Sequence, residues 1–183
     1  MVGSSGEEIV AQSNYLPTTW YAPVLEIRPS SIEGSGMFAT RSIHEGEVVV
    51  IIGGTVMSDA EFRTFTATVP RFNAIQINED AHLVDIPTSP GGMNHSCDAN
   101  LWMRDEVTVV ARREIAAGEE FTQDYALYTT HPDWTMNPCR CGSPLCRHIV
   151  TGSDWQRKDV QKRYKDHFSP FINERIKTLH NGK

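Results

Sequence analysis

Four cysteines are distributed along this chain as one plus three. Cys97 stands alone inside Asn94-His95-Ser96-Cys97-Asp98-Ala99-Asn100, a stretch of amide, imidazole, thiol and turn-forming Asx residues. Cys139, Cys141 and Cys146 lie close together near the other end, as Cys-x-Cys-x4-Cys. A tetrahedral structural zinc takes four ligands, and the downstream group is one short. Cys97 is the one remaining cysteine and completes an all-thiolate set. The competing reading, unrelated buried or redox cysteines, has to accommodate a Cys-x-Cys spacing tighter than such residues usually show. Disulfides are disfavoured inside a cell. A shared metal constrains the fold more than any other feature, because it closes the intervening chain into a ring.

The chain has 183 residues, 39% of them hydrophobic and 22% charged, which suits one globular domain with a small accessory lobe. That length builds a core without disulfide staples. The longest apolar run, Val48 to Ile52, is far short of a membrane span. MVGSSGEEIVAQSN carries no basic region followed by an apolar one, so no signal peptide is read and an intracellular, soluble protein is expected. That means cytoplasmic in a bacterium, and nuclear or cytoplasmic in a eukaryote. A net charge of −6 and a pI near 5.6 argue against a phosphate-tracking nucleic-acid binder. They suit a Lys/Arg-rich partner, although the same charge also serves solubility alone.

Along the chain, residues 1–19 are small and polar and read as a loose arm. Strands are predicted over Val24 to Arg28, stopped by Pro29, and over Val48 to Ile52, Ala74 to Ile77 and His82 to Asp85. Ser58 to Phe62 reads as a short helix with a capping box. Leu101–Met103 and Val107–Ala111 flank Arg104-Asp105-Glu106 as a hairpin, and Gly118 to Phe121 starts a short element leading to Tyr125. In the tail, Val160, Tyr164, Phe168, Ile172 and Ile176 recur every four residues, a helical stripe. Ser169-Pro170 fits an N-cap and first helical position, so two helices are predicted with a break there. The body is thus mainly β, with C-terminal helices to cover it.

Gly34-Ser35-Gly36-Met37-Phe38-Ala39 formally matches the dinucleotide fingerprint G-x-G-x-x-G/A. That fingerprint needs a helix to begin there, whereas strand formers follow, and a phosphate would have no helix N-terminus to sit on. A glycine turn between strands survives, with backbone polar groups open to a ligand.

Taken together, Gly-x-Gly-x-Phe-Ala, Asn-His-Ser-Cys-Asp-x-Asn, Gly118-Glu-Glu-x-Thr-x-Asp-Tyr125 and Cys-x-Cys-x4-Cys resemble, in order, the SET-domain protein-lysine methyltransferases with a zinc-binding post-SET segment. The resemblance covers roughly residues 24 to 148. It implies a SET-domain (β-clip) fold of small curved sheets with a pseudoknot, and S-adenosylmethionine as cofactor. It implies that Glu33, Gly34, Ser35, Gly36 and Met37 bind the cofactor from one side and Asn94 and His95 from the other, with Leu145 packing on the adenine. Tyr125 is then the active-site tyrosine, Gln123 and Tyr125 line the substrate channel, and Cys97, Cys139, Cys141 and Cys146 hold zinc. The expected reaction is methyl transfer to a lysine amine of a protein substrate, histone-like or otherwise basic, with no direct nucleic-acid binding.

Three departures from the family pattern stand out. Gly91 and Gly92 occupy positions that many relatives fill with Arg-Phe, and Gln123 replaces a Phe or Tyr that governs how many methyl groups are added. No cysteine-rich segment precedes residue 24. The first two are the basis of the alternative: a catalytically weak SET-fold module that binds lysine-containing peptides. The expected division is an arm over 1–19, the SET domain over 20–130, the post-SET segment over 131–150 and a helical extension over 151–183.

Overall fold

β-branched and aromatic residues in short runs, interrupted by glycine and proline, give this chain many brief strands instead of a few long ones. The computed structural model describes residues 14–70, 72–86 and 92–182. Its strands are β1 (Trp20–Tyr21), β2 (Leu25–Pro29), β3 (Ser35–Ala39), β4 (Val48–Ile51), β5 (Thr55–Ser58), β6 (Asn73–Gln76) and β7 (Ala81–Asp85), followed by β8 (Asn94–His95), β9 (Leu101–Met103), β10 (Thr108–Ala111), β11 (Thr122–Gln123), β12 (Thr135–Met136) and β13 (Val150–Thr151). Helix α1 (Asp59–Thr66) interrupts the early strands, and α2 (Lys158–Arg163) and α3 (Pro170–Asn181) close the chain.

The strands form small separate sheets: β1-β4-β10-β9, β5-β7-β6, and the pairs β2-β3, β8-β11 and β12-β13. Every pairing is antiparallel except β8 with β11. The core between the sheets is built on Ile43, Val49, Val50, Leu83, Leu101, Val109 and Phe121, each fully buried.

Several expectations hold locally. Ser58 caps α1 with a full capping box, its hydroxyl accepting from the Glu61 N–H while the Glu61 carboxylate accepts from the Ser58 N–H. β9 and β10 form the predicted hairpin. Ser35–Ala39 is a strand and no helix follows it, so the dinucleotide match is a coincidence of composition.

Others shift. The first predicted strand runs one residue later, with Pro29 inside it, paired with Ser35. A two-stranded ribbon tolerates that, because a proline at a strand end forfeits a single ladder bond. The arm expected over 1–19 falls partly on residues 1–13, outside the described residues. From Asn14 onward the chain is docked: the Gly54 N–H donates to the Leu16 carbonyl (2.8 Å) and the Tyr15 hydroxyl to Glu106 (2.6 Å).

The tail breaks earlier than its apolar stripe suggests. α2 ends at Arg163, Tyr164 leaves the helical region (φ −114°, ψ 25°) and Asp166 is left-handed, so Tyr164 and Phe168 lie outside both helices. The cause is packing. Tyr164 is drawn beneath the Cys97 loop, where its hydroxyl accepts from the Ala99 N–H (3.1 Å). The four-residue spacing survives as an edge-on contact between the Tyr164 and Phe168 rings. α3 then starts as expected, with Ser169 as N-cap and Pro170 at the first position.

Candidate functional site

The parallel β8–β11 pair sets the site. Asn94 stands opposite Thr122 and His95 opposite Gln123, and the Ser96 N–H extends the ladder to the Gln123 carbonyl (3.0 Å). Asn100 fastens the other end of the loop. Its side-chain oxygen accepts from the Thr122 N–H (2.8 Å) while its amide donates to the Glu120 carbonyl (2.8 Å) and to Glu119 (2.9 Å). Both ends of the Cys97 loop are therefore bonded to residues 119–123, which is the crossing expected of a pseudoknot.

The glycine turn joins β2 to β3. Gly34 is left-handed (φ 48°), which tight turns take most readily from glycine, and no atom lies near the place a Cβ would occupy. Gly36 is glycine for another reason. A Cβ there would meet the Glu120 carboxylate at 2.0 Å. That carboxylate accepts from the Ser30 hydroxyl (2.8 Å) and from the Asn94 amide (2.7 Å). The same amide reaches the carbonyls of Glu33 (3.1 Å) and Ser35 (3.4 Å), so Asn94 pins the turn against β8. Glu33 and Gly34 are exposed, Met37 is buried, and Arg140 from the cysteine-rich segment pairs with Glu33 (2.9 Å) across the turn. Exposed, glycine-opened backbone beside the Asn94 carboxamide fits a polar ligand such as the amino-acid end of S-adenosylmethionine. Leu145 is 47% exposed on the same loop as Arg140.

The four cysteine sulfurs all lie within 4.8 Å of one another. Tetrahedral zinc with Zn–S near 2.3 Å requires sulfurs roughly 3.8 Å apart, and Cys97 and Cys139 stand at 4.0 Å. Burial pushes the Cys97 thiol well up and Cys139 up to about 11. Cys141 goes the other way: burial opposes the shift, but backbone N–H donors and neighbouring thiols outweigh it. Two more N–H groups, of Arg147 and His148, donate to Cys97 and Cys146 (3.3 and 3.4 Å). Four converging sulfurs with backbone donors behind them fit a thiolate-bound dication, whose charge supplies what burial takes away.

Arg147 is a residue that sequence reasoning missed. Its guanidinium is buried and grips both carboxylate oxygens of Asp124 (2.7 and 2.8 Å), while its Nε makes a charge contact with Asp154 at 2.9 Å that lacks hydrogen-bond alignment. Asp124 is wholly buried and precedes Tyr125, so the cysteine segment is bolted to the tyrosine through a two-point ion pair. His95 lies in the same layer. Its Nδ1 accepts from the Tyr125 N–H (3.3 Å), leaving Nε2–H to donate to Cys97 (3.2 Å). Burial, helped by Arg147 and opposed by Asp124, lowers its pKa to about 4, so the ring is neutral at pH 7. Nothing in a lone Arg after a cysteine signals such a role in the sequence.

On the other side of Tyr125 lies a cavity of about 530 Å³, lined among others by Gln123, Tyr125, Met93, Tyr128 and Trp134. The Tyr125 ring is held at its edges by His95, Tyr128 and Trp134, with centroids 5.1–5.9 Å away. Its hydroxyl donates to the Met93 carbonyl (3.2 Å), and burial pushes its pKa up to about 12. Gln123 is buried against Met103, its amide 3.9 Å from the thioether sulfur. Gly91 lies outside the described residues. Gly92 has one neighbour near its missing Cβ, the Asn73 side-chain oxygen at 3.9 Å, so the position is roomy. The sequence-predicted residues thus fall into three adjoining groups: the turn with Asn94, the thiols, and the cavity residues Gln123 and Tyr125.

This fold of small sheets recurs in solved structures. The methyltransferase domain of human histone-lysine N-methyltransferase SETMAR aligns with a TM-score of 0.55 at 20% identity, covering 69% of this chain and 57% of that one. A SET-domain family model matches residues 34–126, and the chain belongs to that family. Similar curated proteins include histone-lysine N-methyltransferase ash1 of Drosophila melanogaster, 28% identical over 76% of this chain and 7% of that protein. Another is the H3 lysine-4 specific histone-lysine N-methyltransferase of Mycosarcoma maydis, 30% identical over 69% of this chain and 10% of that protein. Human histone-lysine N-methyltransferase 2B is 27% identical over 66% and 5% respectively. The chain spans a tenth or less of the length of these relatives. Among the described residues, no helix is long and apolar enough to cross a membrane.

Proposed function

We propose that this chain is a protein-lysine N-methyltransferase that uses S-adenosylmethionine, and that the four cysteines hold one structural zinc. The observation that carries the reading is the placement of Tyr125. It stands between the β8 residues that pin the glycine turn and a cavity wide enough for a side chain. Glu33–Met37 and Asn94–His95 would hold the cofactor, which would supply an electrophilic methyl group. The protein's share is to present a neutral amine in line with it. A free lysine has a pKa near 10.4, and an apolar channel next to a cation lowers it. The Tyr125 hydroxyl, with its pKa pushed up to about 12, stays protonated and orients the amine instead of taking its proton.

The division into an arm, a SET domain over 20–130, a post-SET segment over 131–150 and a helical extension belongs to the same proposal. It is supported by the family match over 34–126 and by the thiols of the third unit. Relatives named for histones, together with the net charge of −6, favour a basic protein as substrate. Incubating arrayed lysine-containing proteins and peptides with labelled cofactor tests this, and labelled lysine is the expected product. Peptide affinity with bound cofactor and no label on any substrate would replace the enzyme with a binding module.

A further inference from the structure

The cavity is larger than a lysine. Beyond its Cα a lysine has five non-hydrogen atoms, which at a water's share of about 30 Å³ each fill on the order of 150 Å³. The cavity holds about 530 Å³, so more than half of it remains once a lysine stands against Gln123 and Tyr125. Much of the remaining wall is aromatic or aliphatic, with Thr19, Thr66, Asn73 and Gln76 also lining it. Phe62 of α1 stacks on His82 of β7 (centroids 4.1 Å apart, planes 13° apart), and Phe72 meets Phe62 edge-on at 5.7 Å. Val50, Ile52 and Ala74 continue the surface. His82 is buried, which lowers its pKa, with Asp59 opposing and His131 and Arg63 adding to the effect, so its neutral form is favoured. Asp133 is the one carboxylate among the lining residues.

We propose that this second compartment takes a bulky apolar side chain next to the target lysine, so that the preferred substrate is a segment pairing lysine with a leucine-, methionine- or phenylalanine-class neighbour. The inference rests on the proposed function for its lysine but makes its own claim about affinity. Continuity with Tyr125 places both side chains on one short peptide. An acidic neighbour is disfavoured, because it would desolvate against aromatic rings and face Asp133. Full burial of such an apolar side chain corresponds to roughly ten- to hundredfold in affinity.

The test measures binding by fluorescence anisotropy, with cofactor present, for short lysine peptides carrying Gly, Leu, Phe or Glu on either side of the lysine. Leu or Phe on one side is expected to bind at least about tenfold more tightly than Gly, and Glu more weakly. Phe62→Ala should shrink that gap, and Ala74→Phe, which fills the compartment, should abolish it. Phe62 lies on a helix with no buried residue, so its loss leaves the fold standing. Equal affinity for all neighbours, binding of none, or a preference undiminished in both variants overturns the inference. Transfer measured in parallel separates the two claims. Methylation with no apolar preference removes the second compartment and keeps the enzyme, while preference without methylation does the reverse.

Discussion

Tyr125 stands between two regions built on opposite terms. On the cysteine side, opposite charges and polar groups are buried face to face: Arg147 bonds Asp124 at two points and makes an unaligned charge contact with Asp154, His95 bonds Tyr125 and Cys97, and thiols meet backbone donors. On the cavity side, the wall carries Phe62, Phe72, Tyr128 and Trp134, and two of its polar groups are left short. His82 Nδ1 has no hydrogen-bond partner among the described residues, and the Gln123 amide meets a thioether, a weak acceptor. A buried charge network tolerates no movement without stranding a charge. An apolar wall has no charge to strand and gains when something apolar covers it. One side fixes the tyrosine and the other is shaped to receive.

The largest expected effect breaks the fixed side. Cys141→Ser should lower bound zinc from one per chain to none and make the 131–150 segment sensitive to protease, because metal binding there is folding energy. Elemental analysis finding no metal in folded, active parent protein would remove the site. Next, Tyr125→Phe should cut kcat by roughly 10²-fold with cofactor affinity unchanged, since a single hydroxyl is lost and the ring packing stays. Undiminished turnover would deny the hydroxyl a role in aligning the amine.

A matched pair of stability measurements sharpens the contrast. Arg147→Met leaves Asp124 buried without its partner and should cost about 3–5 kcal/mol in urea unfolding. Phe62→Ala, on a half-exposed helix, should cost about 1 kcal/mol. Equal losses would mean that the two sides do not differ as described. The smallest effect is a pH dependence. Burial lowers the folded pKa of His82 below its ordinary 6.5, so the unfolded chain takes up a proton first as pH falls. The His82 contribution is therefore fully present above pH 6.5 and is lost below it. His82→Gln should flatten that part of the stability–pH curve, and parallel curves for parent and variant would show that His82 titrates normally.

The fixed side was the more legible in sequence, through its unusual residues and not through its bonds. Thiols at Cys-x-Cys-x4-Cys spacing and the Asn94–Asn100 loop carry chemistry that few folds need, so they stand out in one dimension. Arg147 does not: its partners Asp124 and Asp154 are ordinary acids until the chain folds. The capping box at Ser58 and the β9–β10 hairpin were legible because each is decided within a few residues. The end of α2 was not, since Tyr164 breaks the helix to reach a loop 65 residues earlier. The cavity left the faintest trace. Phe62 reads as part of a small amphipathic helix, and only the pairing of β6 with β7 sets Phe72 and His82 beside it.

The reach of Arg163 and Tyr164 back to the Cys97 loop has a consequence in time. The Arg163 guanidinium donates to the Cys97 carbonyl (2.7 Å), and Tyr164 seals the loop beside it. A ribosome adds about 5–20 residues per second, so the 66 residues separating Arg163 from Cys97 take on the order of 3–13 s to make. Through that interval the nascent loop lacks the two residues that close over it. A thiol wholly buried in the finished molecule is, during synthesis, an accessible one.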